Sequence, residues 1–220
     1  MLSHDTEAFY EFLRTQRAVR KLRPDPIPDE ALARILDATR HAPSGGNRQG
    51  WRMVMVTDPA KKARLGELYA PIWEAYCSKY ASTEGMTPEA AAGMIRTLDS
   101  GSYMAAHMHE YPLIAIVCFN PEHLAVTDIE QDRVSVVGGG SIYPAVQNFM
   151  LACRVEGLGC VLTTLLCQHE LEVKSLLSIP EDWYTAAAIP VGYPVGKGYG
   201  PVRRLPVEAL FFQDTWGESV

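Results

Sequence analysis

Long apolar runs are missing from this 220-residue chain. The longest, Pro112 to Phe119, is far short of the roughly 20 residues a bilayer-crossing helix needs, so no membrane partner is expected. Met1 to Tyr10 carries Asp5 and Glu7 without an apolar core, and does not read as a secretory leader. Positive charge is in deficit: 20 Lys and Arg against 26 Asp and Glu give a formal net charge of −6. That balance argues against nucleic acid as a partner, which selects basic surfaces. Cysteine is sparse and odd in number. Cys77, Cys118, Cys153, Cys160 and Cys167 contain no C-x-x-C spacing and read as reduced thiols of a cytoplasmic protein. Also absent are a G-x-x-x-x-G-K-S/T phosphate loop, a G-x-G-x-x-G turn after a strand, and a G-x-S-x-G elbow. Gly196, Gly198 and Gly200 alternate, but no helix follows them.

Metal chemistry finds little support. His107 and His109 share a face only on a strand, and their segment looks helical or loop-like. Cys153, Cys160 and Cys167 recur every seven residues across a predicted helix, turn and strand, so they are not expected to line one face and read as buried structural thiols. Asp128, Glu130 and Asp132 read as a solvated loop. No metal is expected.

What is present is an ordinary globular composition, 47% apolar and 21% charged, enough for a substantial core. Helical spacing of Phe9, Phe12 and Leu13 predicts a first helix over Thr6 to Gln16. Pro24, Pro26 and Pro28 impose an extended connection. Asp29 and Glu30 suit the N-terminal end of a second helix, whose buried stripe is expected to be Ala31, Leu32, Ile35 and Leu36. Trp51 to Thr57 and Leu113 to Phe119 read as strands. Pro59 to Met108 reads as mostly helical, with Ala81 to Thr87 as a mobile excursion. Further on, a helix is expected over Ser141 to Glu156, a strand over Cys160 to Thr164, a helix near His169 to Leu177 and a strand over Tyr184 to Val191. With no repeat and no linker, residues 1–220 read as one domain, with a helical excursion or lid at about 69–108 and a C-terminal arm at about 194–220.

Three segments have the composition of a ligand site. Gln16-Arg17-Ala18-Val19-Arg20-Lys21 offers short-spaced guanidinium forks that suit a phosphate, though such clusters are commonly just solvated. Ala42-Pro43-Ser44-Gly45-Gly46-Asn47-Arg48-Gln49-Gly50-Trp51 concentrates hydroxyl, amide and backbone groups that suit the polar edge of a heterocycle, or simply a helix stop and turn. Val202-Arg203-Arg204-Leu205-Pro206 is basic again. Gly138-Gly139-Gly140 admits two readings, close backbone approach to a ligand or close packing before a helix.

Taken together, these segments resemble the FMN-dependent nitroreductase superfamily, over nearly the whole length from Arg17 to Pro206. The family's R-R-S-x-R stands here as Gln16-Arg17-Ala18-Val19-Arg20. Its A-P-S-x-x-N-x-Q-P-W stands as Ala42-Pro43-Ser44 with Asn47, Gln49 and Trp51. Its helix ending in G-L-G stands as Gln147-Asn148 followed by Gly157-Leu158-Gly159. The closing P-x-G-Y-P and K-x-R-x-P stand as Pro190-Val191-Gly192-Tyr193-Pro194 and Val202-Arg203-Arg204-Leu205-Pro206. Gln16, Ala18, Gly50 and Val202 depart from the pattern, with Arg17 next to Gln16 and Ala18 and Arg203 next to Val202.

The resemblance implies an α+β, three-layer fold, with a central mixed, largely antiparallel sheet flanked by helices in an intertwined homodimer. It implies that Arg17, Arg20 and Arg204, helped by Arg203, hold the FMN phosphate, and that Ala18 also belongs to the cofactor-binding set. Pro43, Ser44, Gly45 and Asn47 would come from the partner subunit to border the flavin, with the sites at the dimer interface. Thr163 and Thr164 would pass the reactive flavin edge, with Thr164 tuning the flavin; the same residues also suit plain β-branched strand filling. The implied reaction is a ping-pong exchange, with NAD(P)H reducing FMN and a small organic acceptor, such as a nitroaromatic or quinone, reoxidising it. No dedicated side-chain acid or base is needed. Three alternatives accompany this reading: a flavin-storing protein, a dehalogenase and a flavin-fragmenting enzyme. Glu74-Ala75-Tyr76 does not match the Glu-x-x-x-Tyr spacing of the iodotyrosine deiodinases.

Overall fold

The computed structural model describes residues 6–220; the reading of Met1 to Tyr10 falls partly on Met1–Asp5, outside the described residues. The chain forms two compact units. One spans Ala18–Gly198; the other comprises the terminal segments up to Arg17 and Tyr199–Val220.

In the large unit, β1 (Leu22–Arg23), β2 (Trp51–Val56), β3 (Leu113–Phe119), β4 (Gly159–Cys160) and β5 (Tyr184–Pro194) form one sheet in the order β1-β5-β3-β2, with β4 also on β5. Every pairing among the described residues is antiparallel. The helices α2 (Asp29–Arg40), α3 (Pro59–Tyr80), α4 (Pro88–His107), α5 (Tyr143–Val155) and α6 (Glu170–Leu177) cover it. The apolar run of β3 is buried over six of its seven residues, as a central strand with both faces covered requires. Successive side chains alternate faces. Leu113, Ala115 and Val117 meet Ile35 of α2 and Val146, Phe149 and Cys153 of α5. Ile114 and Ile116 are equally buried on the other face. Three layers follow: α2 with α5, the sheet, and the remaining helices.

Local chemistry explains the helix starts. Asp58 accepts a hydrogen bond from the Lys61 amide, and Thr87 one from the Ala90 amide, each capping a helix that begins with proline. Ala81–Thr87 is the turn between α3 and α4.

Tertiary pairing redraws several expected boundaries. The stripe of α2 is Ala31, Ile35 and Thr39. Leu36, expected in it, is 37% exposed, because the helix rotates its i, i+4, i+8 row toward α5. Helix α5 starts at Tyr143, after a 3-10 turn over Val137–Ser141. The strand expected over Cys160 to Thr164 is regular only at Gly159–Cys160 and resumes as a single bridge, Thr163 to Ala188. Pro190 explains the gap: its carbonyl accepts from the Val161 amide at 3.4 Å, but it has no N–H to return. Cys153 and Cys160, expected apart, lie side by side in the core, and the Cys160 contact with burial raises the Cys153 thiol well above its usual range. Among the described residues no helix is long and apolar enough to cross a membrane.

In the terminal unit, α1 (Thr6–Arg14) stops two residues before the expected Gln16. The Thr15 hydroxyl donates to the Glu11 carbonyl and the Gln16 amide to Leu13, tightening the last turn.

Candidate functional site

The segment before β1 brings the first basic residue into place. Val19 donates its amide to the Cys160 carbonyl at 2.9 Å. This approach depends on Gly159, where a Cβ would come within 2.7 Å of the Val19 side chain. The next residue, Arg20, has its carbonyl held by the Tyr111 hydroxyl at 2.5 Å, and the Tyr111 carbonyl in turn accepts from the Lys62 ammonium at 2.5 Å. Burial raises the Tyr111 phenol and lowers the Lys62 ammonium from their usual ranges, and the phenol stays protonated as a donor at neutral pH. The backbone at Arg20 is thus fixed from two sides.

Arg20 lines a cavity of about 600 Å³, a volume in the range of cofactor and small-molecule sites. Leu162, Thr163, Thr164 and Leu165 form its wall from the β4 side. The two threonines differ. Thr163 is buried, lies 3.3 Å from the Tyr69 hydroxyl, and exchanges backbone bonds with Ala188. Thr164 is exposed at the cavity and its hydroxyl has no partner among the described residues. Facing them, α3 contributes Trp73, Tyr76, Lys79 and Tyr80, and α4 contributes Met94, Thr97 and Leu98. These helical residues were not singled out from the sequence. The signal was there in the 4-3-4 spacing of Tyr69, Trp73, Tyr76 and Tyr80, which puts four rings on one helix face.

The loop 42–50 lies elsewhere, and none of Pro43, Ser44, Gly45 and Asn47 lines this cavity. Gly46, Asn47 and Gln49 all have positive φ, at 58°, 53° and 51°, a costly run for non-glycine residues. Side-chain hydroxyls hold it: Ser44 accepts from the Gln49 amide and Ser141 from the Gly45 amide, both at 3.0 Å. Ala18 lies between Arg17 and Val19 with a half-buried side chain.

In the terminal unit, Arg17, Arg203 and Arg204 are exposed, and Arg204 donates to the Arg203 carbonyl at 2.9 Å. Gln16 is unusual: both amide atoms are buried and neither has a hydrogen-bond partner among the described residues. Such a group costs on the order of 1–3 kcal/mol unless something meets it. No group of three or more His, Cys, Asp or Glu suited to a metal occurs among the described residues.

Among the described residues, the cavity lining has no nucleophile with its base and no carboxylate pair. Its polar groups are those that bind and orient: a guanidinium, an ammonium and hydroxyls against aromatic walls. The chain is similar to an NADH dehydrogenase of Thermus thermophilus, 30% identical over 202 residues, covering 89% of this chain and 90% of that one. It is similar to a 5,6-dimethylbenzimidazole synthase of Rhodobacter capsulatus, 30% identical over 86% of this chain and 84% of that one. Its fold is that of an NADPH:FMN oxidoreductase from Vibrio harveyi complexed with NAD+, with a TM-score of 0.68 at 20% identity, covering 95% of this chain and 78% of that one. The profile of the Nitroreductase family matches residues 13–193, and the chain belongs to that family.

Proposed function

We propose that the protein is an FMN-dependent oxidoreductase that uses NAD(P)H to reduce a small organic acceptor in a ping-pong reaction. The observation that carries this reading is the cavity in which Arg20, the unpartnered Thr164 hydroxyl and an aromatic wall converge. These residues fit the cofactor: a cation for an anionic group, a free donor for a heterocycle edge, and flat apolar faces for a ring. FMN, when bound, would supply the hydride-accepting and hydride-donating chemistry.

The chain's own residues bind and orient. Arg20 offers charge from a backbone pinned by Tyr111. Thr164 offers its hydroxyl, while Thr163 is occupied with Tyr69 and serves as support. The α3 rings keep water from the wall they form. The sequence motifs give Arg17, Arg203 and Arg204 to the FMN phosphate, and Ala18, lacking a polar side chain, only its backbone. Because the strained loop of Pro43, Ser44, Gly45 and Asn47 lies away from the cavity of its own chain, we assign it to the flavin of a partner subunit in a homodimer. Five free thiols support a cytoplasmic location.

The test is an absorption spectrum of the purified protein, identification of any released chromophore, and NADH and NADPH oxidation with and without acceptors. Oxidised flavin bands, free FMN after denaturation and acceptor-dependent oxidation are expected. A protein that neither carries nor binds FMN overturns the reading, and bound FMN without turnover on any acceptor favours flavin storage. Similarity to the Rhodobacter synthase supports a second reading, fragmentation of the flavin itself, which aerobic incubation would show as loss of flavin and release of 5,6-dimethylbenzimidazole.

A further inference from the structure

The cavity is selective in both shape and charge. Along α3 the rings of Tyr69 and Trp73 stack with an interplanar angle of 9° and those of Trp73 and Tyr76 at 25°, while Tyr80 is tilted 38° from Tyr76 with centroids 4.5 Å apart. Trp73 is the fixed member. Its six-membered ring sits in a notch at Gly101 of α4, where a Cβ would lie 2.1 Å from Cζ2, and its indole N–H donates to the Ser102 hydroxyl at 3.0 Å. Softer side chains complete the lining: Met86 from the turn before α4, and Met94 and Leu98 from α4. A fixed aromatic group beside adaptable thioethers suits a planar ring.

Charge is one-sided. In a chain of net charge −6, the cavity lining includes, among the described residues, two cations, Arg20 and Lys79, and no carboxylate. Arg20 is already assigned to the cofactor, which leaves Lys79, seated over the Tyr80 ring at 5.4 Å, as the cation at the aromatic end. We propose that the acceptor class is a planar aromatic carrying an anionic substituent such as a carboxylate, its ring against Trp73 and Tyr76 and its charge at Lys79. This rests on the oxidoreductase reading of the same cavity and adds the substrate's chemistry.

The probes are 4-nitrobenzoate and its neutral isostere 4-nitrobenzamide, bound to FMN-loaded protein without NAD(P)H, with dissociation constants from calorimetry. The benzoate is expected to bind about fivefold tighter at low salt, as one partly solvated ion pair allows. Lys79→Gln should bring the ratio of the two constants to about one, and Lys79→Arg should preserve it. Trp73→Leu should weaken both probes and leave the ratio intact. Equal binding of the two probes, failure of either to bind, or a ratio unchanged by Lys79→Gln overturns the proposal. So does a Lys79→Gln variant whose only change is a higher KM for NAD(P)H, which would give the lysine to the nicotinamide. Failure of the oxidoreductase reading is distinct: the protein would bind 4-nitrobenzoate with this preference and never oxidise NAD(P)H.

Discussion

Gly101→Ala is the sharpest perturbation of the cavity wall, because it adds one methyl group where the structure leaves no room. The new Cβ would lie 2.1 Å from Cζ2 and 2.2 Å from Cη2 of Trp73. Carbon atoms in contact prefer about 3.5–4.0 Å, so the ring or the helices must move by roughly 1.5 Å. Moving Trp73 breaks its bond to Ser102; parting α3 from α4 exposes Met104 and Ile72, now buried. Overpacking of this kind costs about 1–3 kcal/mol and the lost hydrogen bond about 1 kcal/mol. Alanine returns about 1 kcal/mol through helix propensity. The expected net effect is a destabilisation of about 1–3 kcal/mol, read by urea unfolding. The mechanism is isolated by a double-mutant cycle with Trp73→Ala: once the ring is gone, Gly101→Ala should become neutral or stabilising. A Gly101→Ala protein as stable as the parent, or the same loss in both backgrounds, would refute the reasoning.

Arg17→Ala and Arg204→Ala should each weaken FMN binding about ten- to a hundredfold, the loss of one charge-assisted contact; unchanged affinity in both, measured by fluorescence titration, removes them from the phosphate site. Thr164→Ala should shift the reduction midpoint of the bound flavin, whereas Thr163→Ala should instead lower stability; an identical redox titration for Thr164→Ala removes its tuning role. Tyr111→Phe leaves the Arg20 carbonyl without its hydroxyl donor and should weaken FMN binding several-fold, about 1 kcal/mol, with little change in the far-UV spectrum; unaltered affinity would show that Arg20 needs no such anchor. Burial pushes the Cys118 thiol up from 9.0 to about 11. The folded state therefore holds that proton longer than the unfolded state, and the associated stability is complete below pH 9 and lost as pH rises through about 11. Denaturation midpoints should fall across this window, and less steeply in Cys118→Val; parallel slopes would remove Cys118 as a source.

Elements that carry their own pattern were legible. The apolar run Leu113–Phe119 is β3 to the residue, and Asp29 opens α2 as its acidic first turn predicts. Elements defined by a distant partner were not. β1 is two residues inside a basic, proline-flanked stretch, and exists because Leu22 and Arg23 pair with Pro194 and Tyr193. The early end of β4 depends on Pro190, thirty residues further on. The site divides in the same way. Arg20, Thr163 and Thr164, found through the motifs, share the cavity. The α3 rings carry no motif, and their role becomes visible only once α4 is placed against them.

Much of what shapes this cavity therefore lies in residues with no chemistry of their own. Gly159 admits Val19 and so delivers Arg20; a side chain there would push the basic segment off the sheet. Pro190 withholds one N–H, ends the β4 ladder early, and leaves Thr164 just beyond the bridge at Thr163, turned to the cavity. Gly101 accepts the Trp73 ring and sets the opposite wall. All three act by omission, two of a side chain and one of a donor, and each omission is compensated by a specific long-range contact. Replacing a cavity-lining side chain changes what is bound, whereas filling one of these three gaps changes where the binding groups stand. The two kinds of variant should separate experimentally: replacing an exposed lining residue such as Thr164 or Lys79 alters affinity at constant stability, and filling a gap alters both together.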